Sequence, residues 1–412
     1  MNNSKRYCIL VMGMIIQLCA GIIYMWSVFK GPVATHLAWD AGSASLVSSI
    51  MLSMFVLGII LGGYAQDKLG PKKVTLAGSI LIGVGMICTA LITRGAPWLV
   101  YLTYGVIGGL GVGTVYMPTI AAVQKWFPDK RGFASGMIVC AFGLSLVIFA
   151  PLAKSMLGGM GVPNTFLIFG VSFLIVCVTC SLFIQNPPEG YLPQGYIPTQ
   201  ATSIKQQYSP REIIKTKQFY LLVGGLLFTL PAYFILNPVF ISLGTVRGLS
   251  DELALIGVSL TGISSAMGRL IVSWISDKTG RKAAMIAIAV IILCAALVMI
   301  VGEGVMFFLC IMLISFGFGG AASVYSAMTA ESFGTKYGGM NFGLVMIGFG
   351  ISALVFPFIS NKLTAGGSYT SSFILAAVTC AVAIVLVLLM DSPGKSMGKK
   401  QIQRKNTQSL GG

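Results

Sequence analysis

Long apolar segments separated by short polar ones run along this chain from its beginning to near its end. Each apolar segment holds about 20 residues, which as an α-helix is long enough to cross the ~30 Å hydrocarbon layer of a bilayer. Backbone polar groups inside lipid must pair within their own segment, so the pattern predicts helices. Twelve spans are predicted, at about residues 7–29, 45–65, 74–93, 98–122, 132–154, 164–184, 219–243, 254–275, 283–301, 305–328, 339–362 and 369–390.

The longest polar interruption runs from Gln185 to Gln218 and divides the spans into two groups of six. It is rich in Pro, Gln, Tyr and Lys, whereas the other connections are short. We therefore expect an all-α membrane protein built from two pseudo-symmetric six-helix bundles. The predicted domains are residues 1–184, a cytoplasmic linker at 185–218, residues 219–390 and a basic tail at 391–412.

Composition agrees with this fold class and explains the high net charge. Hydrophobic residues make up 56% of the chain and charged residues only 9%, far below the roughly 25% of soluble domains. The charge of +16 does not indicate a nucleic-acid partner, because most of the 27 Lys and Arg fall in alternate loops and in the tail. This bias predicts that both termini face the cytoplasm. The basic tail also favours contact with anionic membrane lipid.

An internal repeat links the two groups of spans. The segments Gly63–Lys72 and Ser273–Lys282 share the pattern small-x-x-x-Asp-Lys-x-Gly-x-Lys, and Trp126–Gly132 has a weaker counterpart in Ser332–Gly338. The repeated pattern predicts a tight turn at the inner membrane face and a close helix contact. A fixed topology anchor is the alternative to a gating role. The residues expected to form an inner gate are Asp67, Asp277, Lys72 and Arg281.

Arg269 is the only charged residue that the hydropathy pattern places deep inside a span. Keeping a guanidinium there costs about 2.5–3.5 kcal/mol on insertion scales. It precedes Asp277 by two helical turns, so it lies roughly 12 Å from the inner face, near the bilayer midplane. No Asp or Glu is predicted at that depth, and a guanidinium binds a carboxylate through two parallel hydrogen bonds. We therefore expect Arg269 to bind an organic anion; the alternative is a structural Arg held by backbone carbonyls or Tyr hydroxyls.

Polar side chains in other spans are candidates for the rest of the site. Buried phenols and amides need hydrogen-bond partners, and a substrate carboxylate provides one. Packing between helices is the alternative for each of them. The candidates are Tyr24 and Gln17 in span one, Tyr116 in span four, Asn237 in span seven and Tyr325 in span ten.

Several separate segments resemble the major facilitator superfamily and, within it, the oxalate/formate antiporter and monocarboxylate porter group. They are Gly21–Ser27, Tyr116 followed by Lys125–Gly136, Arg269 ahead of Asp277, and Ser332–Thr335 with Asn341. The resemblance implies a transporter that binds a small molecule between its two halves and alternates between inward-open and outward-open states. It also implies that Arg269 holds the substrate carboxylate, and that Tyr24 and Tyr116 lie at the central cavity.

Two departures from this group narrow the expected function. Oxalate-carrying relatives have a Lys in span eleven where this chain has Phe349, and a dianion beside one cation would leave a net charge in low dielectric. We therefore expect a monocarboxylate such as lactate, pyruvate or formate, with Phe349 against its apolar end. Animal-type monocarboxylate porters have an Asp one turn before the Arg, where this chain has Ser265. Proton symport, exchange against a counter-anion and uniport all stay open.

Other functions are weighed against this one. An oxalate/formate-type exchanger keeps the same fold and the same Arg269. An exporter of cationic or amphipathic compounds needs an intramembrane carboxylate, which the spans lack, and a carboxylate sensor would bind without transport. The sequence has no nucleotide-binding loop, metal-ligand cluster or buried acid–base pair, so we expect no enzyme, cofactor or metal. Short outer loops favour the inner membrane of a bacterium.

Overall fold

The computed structural model describes residues 4–193, 207–236, 239–364 and 369–391, and every regular element among them is helical. The N-terminal half comprises α1 (Ser4–Ala20), a 3-10 turn (Gly21–Tyr24), α2 (Trp26–Leu37), α3 (Ala41–Leu69), α4 (Pro71–Ala90), a π-helical segment (Tyr101–Gly108), α5 (Gly109–Trp126) and α6 (Arg131–Ser181). After the short α7 (Pro210–Ile213), the C-terminal half comprises α8 (Lys217–Thr229), α9 (Pro231–Leu236), α10 (Phe240–Val246), α11 (Asp251–Thr279), α12 (Arg281–Val298), α13 (Gly304–Phe333), α14 (Gly338–Val345), α15 (Ile347–Leu363) and α16 (Thr370–Leu388).

The helices account for the twelve predicted spans. Ten segments of the described residues are long and apolar enough to cross a membrane. One of them is α6, whose 51 residues contain two predicted spans, and Gly161 at φ +76° interrupts its helical backbone between the two. The eighth predicted span falls on α11, a helix of 29 residues. The all-α prediction is therefore confirmed.

Two regions are more helical than expected. The first span does not end near residue 29, because α2 continues to Leu37. The connection expected at residues 155–163 is also largely helical. Hydropathy marks where a helix leaves the hydrocarbon layer, whereas helical hydrogen bonding continues in a polar environment until the backbone is interrupted.

The two repeated segments end in matching turns. Helices α3 and α11 stop at Gly70 and Gly280, which have φ of +82° and +91°. The N–H of each glycine donates to the carbonyl four residues earlier, on Gln66 and Ser276, at 2.9 and 3.0 Å. Positive φ is readily adopted by glycine, so the repeat sets the turn as predicted. The end of the molecule that carries these two turns is called the turn end below.

Two seams join the halves at the turn end. In one, α3 packs against α14, and in the other α11 packs against α6. Small residues permit this close approach: a Cβ at Gly63 would meet the backbone of Gly339, and a Cβ at Gly136 would lie 2.6 Å from the carbonyl oxygen of Arg269. The α6–α11 seam thereby holds Arg269 at the boundary between the two halves.

Candidate substrate site

Arg269 lies on α11 and reaches across the seam into the N-terminal half. Its side chain is buried, with the residue only 2% exposed. Nη1 donates to the carbonyl oxygen of Val139 at 3.0 Å, and Nη2 donates to the hydroxyl of Tyr24 at 3.3 Å. Gly143 provides the space, because a Cβ at that position would lie 3.0 Å from Cζ of Arg269. The cation of one half is therefore seated among groups of the other half.

Arg269 differs from the other buried arginines in lacking an acidic partner. Three arginines are buried among the described residues. Arg6 pairs with Asp129 at 3.3 Å, and Arg281 pairs with Glu331 at 2.8 Å. No carboxylate in the described part of the chain forms an ion pair with Arg269. Among the three buried arginines, Arg269 is therefore the one whose positive charge no described carboxylate neutralises.

The hydrogen-bonding capacity of Arg269 is also only partly used. A guanidinium carries five N–H donors, and Nε of Arg269 is buried without a hydrogen-bond partner. Its Cζ lies 5.9 Å from the ring centroid of Phe142, near the outer limit of a cation–π contact. A backbone carbonyl and a Tyr hydroxyl are the partners expected of a structural Arg, but both are neutral. Part of the donor capacity of Arg269 is therefore available to a further acceptor.

Three phenols surround the guanidinium. Tyr24 and Tyr116 approach from the N-terminal half and Tyr233 approaches from α9, and all three interact electrostatically with Arg269. The 3-10 turn that ends at Tyr24 packs closely on α6 through Gly21. The structure thus brings two predicted tyrosines to Arg269, together with a third that was not predicted.

Aromatic rings from both halves form a continuous wall beside Arg269. The centroids of Phe55 and Phe349 lie 6.3 Å apart and connect the two halves, and Tyr233 stacks on Phe318 at 3.7 Å. Phe349 is therefore part of this wall and is 7% exposed. The aromatic wall consists of Tyr24, Phe55, Tyr116 and Phe142 from the N-terminal half and Tyr233, Phe234, Phe318 and Phe349 from the C-terminal half.

Two other predicted residues form hydrogen bonds with groups other than the guanidinium. Nε2 of Gln17 donates to the carbonyl of Tyr116 at 3.1 Å and to Oγ1 of Thr119 at 2.6 Å, so this amide joins α1 to α5. The hydroxyl of Tyr325 lies 3.4 Å from Oγ1 of Thr229, inside the C-terminal half. Asn237 falls outside the described residues. Gln17 thus donates to a residue of the aromatic wall, Tyr116.

Tyr233 and Gly143 were not predicted from the sequence, and neither were Phe55, Phe234 and Phe318 of the aromatic wall. Tyr233 lies in the Pro-containing seventh span, where Asn237 drew attention as a possible donor. Its proximity to Pro231, at the break between α8 and α9, was the available signal. Gly143 gave no signal, because its role depends on which residue lies opposite it in α11.

Asp67 joins the halves across the first seam. Its Oδ2 accepts a hydrogen bond from the N–H of Met340 at 3.0 Å, in the first turn of α14. Its Oδ1 accepts from Nε2 of Gln66 at 2.8 Å. The first N–H groups of a helix have no partner in the helix and carry partial positive charge, so a carboxylate is stabilised there.

Asp277 makes the corresponding contact in the second seam. Its two oxygens accept from the N–H groups of Gly132 and Phe133 at 2.9 and 2.8 Å, at the start of α6. Arg281 donates to Asp277 and to Glu331 within the C-terminal half. Lys72 is exposed on the first turn of α4. Three of the four predicted gate residues thus belong to contacts at or beside the seams.

Comparison with known proteins identifies the family of this chain. A sequence model described as Major Facilitator Superfamily matches residues 9–320 and 287–411. This chain belongs to the major facilitator superfamily. It is 25% identical to the oxalate:formate antiporter of Oxalobacter formigenes over 98% of this chain and 96% of that one. It is 26% identical to monocarboxylate transporter 12 of Rattus norvegicus, over 88% and 80% of the two chains. Among solved structures, the superfamily's proton:xylose symporter XylE aligns with a TM-score of 0.74 at 15% identity, over 95% of this chain and 97% of that one.

Membership in the superfamily confirms several expectations drawn from the sequence. The chain is a multi-pass membrane protein with the two-bundle fold, and it resembles the group expected from its motifs. Superfamily members transport small molecules and are not enzymes, which agrees with the predicted class of function. The uncompensated Arg269 is therefore a feature of a transporter.

Proposed function

We propose that this superfamily member transports a small monocarboxylate of the lactate, pyruvate or formate type, and that Arg269 binds the carboxylate. The observation that carries the proposal is the buried guanidinium between the halves, which no described acid neutralises. A carboxylate would supply the missing charge and accept two parallel hydrogen bonds. The unpartnered Nε is one donor for it, and the surrounding phenols provide further contacts.

A route to Arg269 is proposed along α2, on the side away from the turn end. Helix α2 packs against α3 and α6. Tyr24 is half-buried, and Ser27 and Gly31, one and two turns further along the same face, are exposed. At the turn end, by contrast, both seams are closed by Asp67 and Asp277. These contacts support alternating access, in which the molecule described here has its turn end closed.

A monocarboxylate is favoured over a dicarboxylate because Arg269 has no cationic companion. Oxalate-carrying relatives have a Lys at one position in span eleven. In this chain that position is Phe349, which belongs to the aromatic wall. A second carboxylate would face neutral rings in a low-dielectric site, at a cost of several kcal/mol. The likeness to an oxalate:formate antiporter keeps an oxalate/formate-type exchanger as the second candidate.

The remaining proposals concern the rest of the molecule. We propose that Asp67 and Asp277 form the inner gate and that Arg281 orients Asp277. Lys72 is proposed to stay in the aqueous phase at the same turn. The linker at 185–218 is proposed to join two domains in the cytoplasm, with both termini on that side of a bacterial inner membrane. Coupling to a proton or to a counter-anion is compatible with the site.

Purified protein in proteoliposomes tests the proposal directly. Uptake of labelled lactate, pyruvate, formate and oxalate is measured for the wild type, for Arg269→Ala and for Arg269→Lys. We expect uptake of at least one monocarboxylate, loss of about 100-fold in the Ala variant, and partial activity in the Lys variant, which keeps the charge but loses the bidentate geometry. Arg94→Ala is the matched control, since Arg94 is exposed and donates to the carbonyl of His36.

The alternatives predict different results in the same assay. Preferred uptake of oxalate would support the exchanger, and thermal stabilisation by a carboxylate without any flux would support a sensor. Normal uptake by Arg269→Ala would refute the assigned role of Arg269. Resistance to cationic compounds that disappears on gene deletion would support an exporter instead.

A further inference from the structure

Buried polar side chains continue from Arg269 towards the turn end. On α11, Ser273 lies one turn beyond Arg269, and Asp277 lies one turn beyond Ser273, all facing α6. Oγ of Ser273 lies 2.5 Å from Oγ of Ser323 on α13. Ser323 also donates to the carbonyl of Arg269 at 3.0 Å. A hydroxyl pair therefore lies directly between the level of the guanidinium and the level of the seam carboxylates.

Gln124 of α5 extends this series across the boundary between the halves. Its Nε2 donates to Oγ of Ser135 at 2.8 Å in its own half and to Oγ of Ser326 at 3.4 Å in the other half. Ser326 in turn donates to the carbonyl of Ser323 at 2.7 Å. Gln124 is only 5% exposed, and both serines are buried. Polar groups of both halves thus meet between Arg269 and the turn end.

The contact between Gln124 and Ser326 is a weak link between the halves. At 3.4 Å it is longer than a typical hydrogen bond, and both groups are neutral. The strong links at this end are the carboxylate contacts of Asp67 and Asp277, so this amide is not needed to hold the seams together. When the halves separate at the turn end, the N–H of Gln124 that donates to Ser326 becomes free to bind another acceptor. The Ser326 hydroxyl, which donates to the carbonyl of Ser323, can rotate towards the same acceptor.

We propose that Gln124, Ser135 and Ser326 form a second contact site for the transported carboxylate, on the path between Arg269 and the cytoplasm. The inference rests on the proposed function and adds the route by which the anion leaves Arg269. Neutral donors suit this place because a passing ion must be bound well enough to enter but weakly enough to leave. Arg269 binds the anion through its charge, whereas the amide of Gln124 and the hydroxyls of the two serines bind it through neutral hydrogen bonds.

Gln124→Leu and Ser326→Ala test the second site in proteoliposomes of known orientation. The KM for labelled lactate, pyruvate or formate is measured separately from the turn-end side and from the opposite side. For Gln124→Leu we expect the turn-end KM to rise about tenfold, equivalent to about 1.4 kcal/mol, while the opposite KM stays within about twofold. Ser326→Ala should show the same asymmetry with a smaller rise, and it keeps the test informative if the larger substitution impairs folding.

Ser181→Ala is the matched control, because Ser181 is a buried serine paired with Ser79 at 2.9 Å inside the N-terminal half. It should change neither KM. If Gln124 only latches the halves, its loss favours the state open at the turn end, so the turn-end KM falls and the opposite KM rises. That result, or an equal change on both sides, overturns the second site. Absence of uptake and binding in the wild type would instead refute the proposed function.

Discussion

Arg269 and Gly143 are complementary in size across the α6–α11 seam. The guanidinium occupies the place that a side chain at Gly143 would fill, and this contact orients it towards Val139 and Tyr24. A buried cation has few alternative positions, because each move away from its acceptors leaves donors without partners. The geometry of the site therefore depends on the absence of a side chain at Gly143 as well as on the charge of Arg269.

Gly143→Ala should reduce transport without removing the cation. The added Cβ would lie 3.0 Å from Cζ and even closer to Nη1, so the guanidinium must shift away from its present acceptors. We expect kcat/KM for the transported acid to fall about tenfold, as for a misplaced hydrogen-bonding group. Initial uptake rates in proteoliposomes measure the effect.

Gly158→Ala is the control for this substitution, since Gly158 lies in the same helix and a Cβ there meets nothing within 4 Å. Alanine has the higher helix propensity, so the control should keep the stability and the uptake of the wild type. Unchanged transport in Gly143→Ala would mean that the site does not require the guanidinium where it now lies.

The two tyrosines Tyr233 and Tyr325 show what the sequence could and could not predict about the site. Both phenols lie in apolar spans, yet Tyr233 lies near enough to interact electrostatically with Arg269, whereas the hydroxyl of Tyr325 lies beside Thr229. Their spans are apolar on all sides, so no polar stripe marks which side of the helix faces the other half. Arg269 was predictable because a charge in an apolar span stands out whatever the rotation of the helix.

At the scale of elements, each seam contains an Asp carboxylate that accepts hydrogen bonds from the first turn of a helix in the other half. Asp67 of α3 accepts from the first turn of α14, and Asp277 of α11 accepts from the first turn of α6. The repeated motif predicted these turns, and Gly70 and Gly280 adopt the expected positive φ. It did not identify the partner helices, because those contacts join segments far apart in the chain.

Asp67→Asn should favour opening at the turn end. An amide oxygen still accepts from Met340, but a hydrogen bond to a charged acceptor is stronger than one to a neutral acceptor by about 1 kcal/mol. The fraction of molecules open at the turn end should therefore rise about fivefold. Distances between spin labels at the exposed Lys72 and Lys278 report this population.

Glu189→Gln is the control for charge, because Glu189 is an exposed acid in the segment that follows α6. It should leave the distance distribution unchanged. If Asp67→Asn also leaves the distribution unchanged at normal expression, Asp67 is a topology anchor and not part of a gate.

At the scale of the whole molecule, the fold followed from the sequence more completely than the site did. The apolar runs are properties of single segments, and the helices of the described residues reproduce them. The orientation in the membrane was predicted from charge alone, since Lys and Arg concentrate at the turn end and in the tail.

Cysteine labelling in intact cells tests that orientation. In a variant without other reactive cysteines, a membrane-impermeant reagent should modify Arg94→Cys from outside and should reach Lys72→Cys only after the membrane is opened. Both positions are exposed, so differences in burial do not affect the comparison. The reverse labelling pattern would invert the predicted topology.

The exchange of contacts across the seams has a mechanical consequence. Each half contributes one acceptor and one helix start: the first half gives Asp67 and the beginning of α6, and the second gives Asp277 and the beginning of α14. In the proposed gate both contacts must break before this end opens, so each seam contributes to the barrier, and removing one of them weakens the restraint without abolishing it.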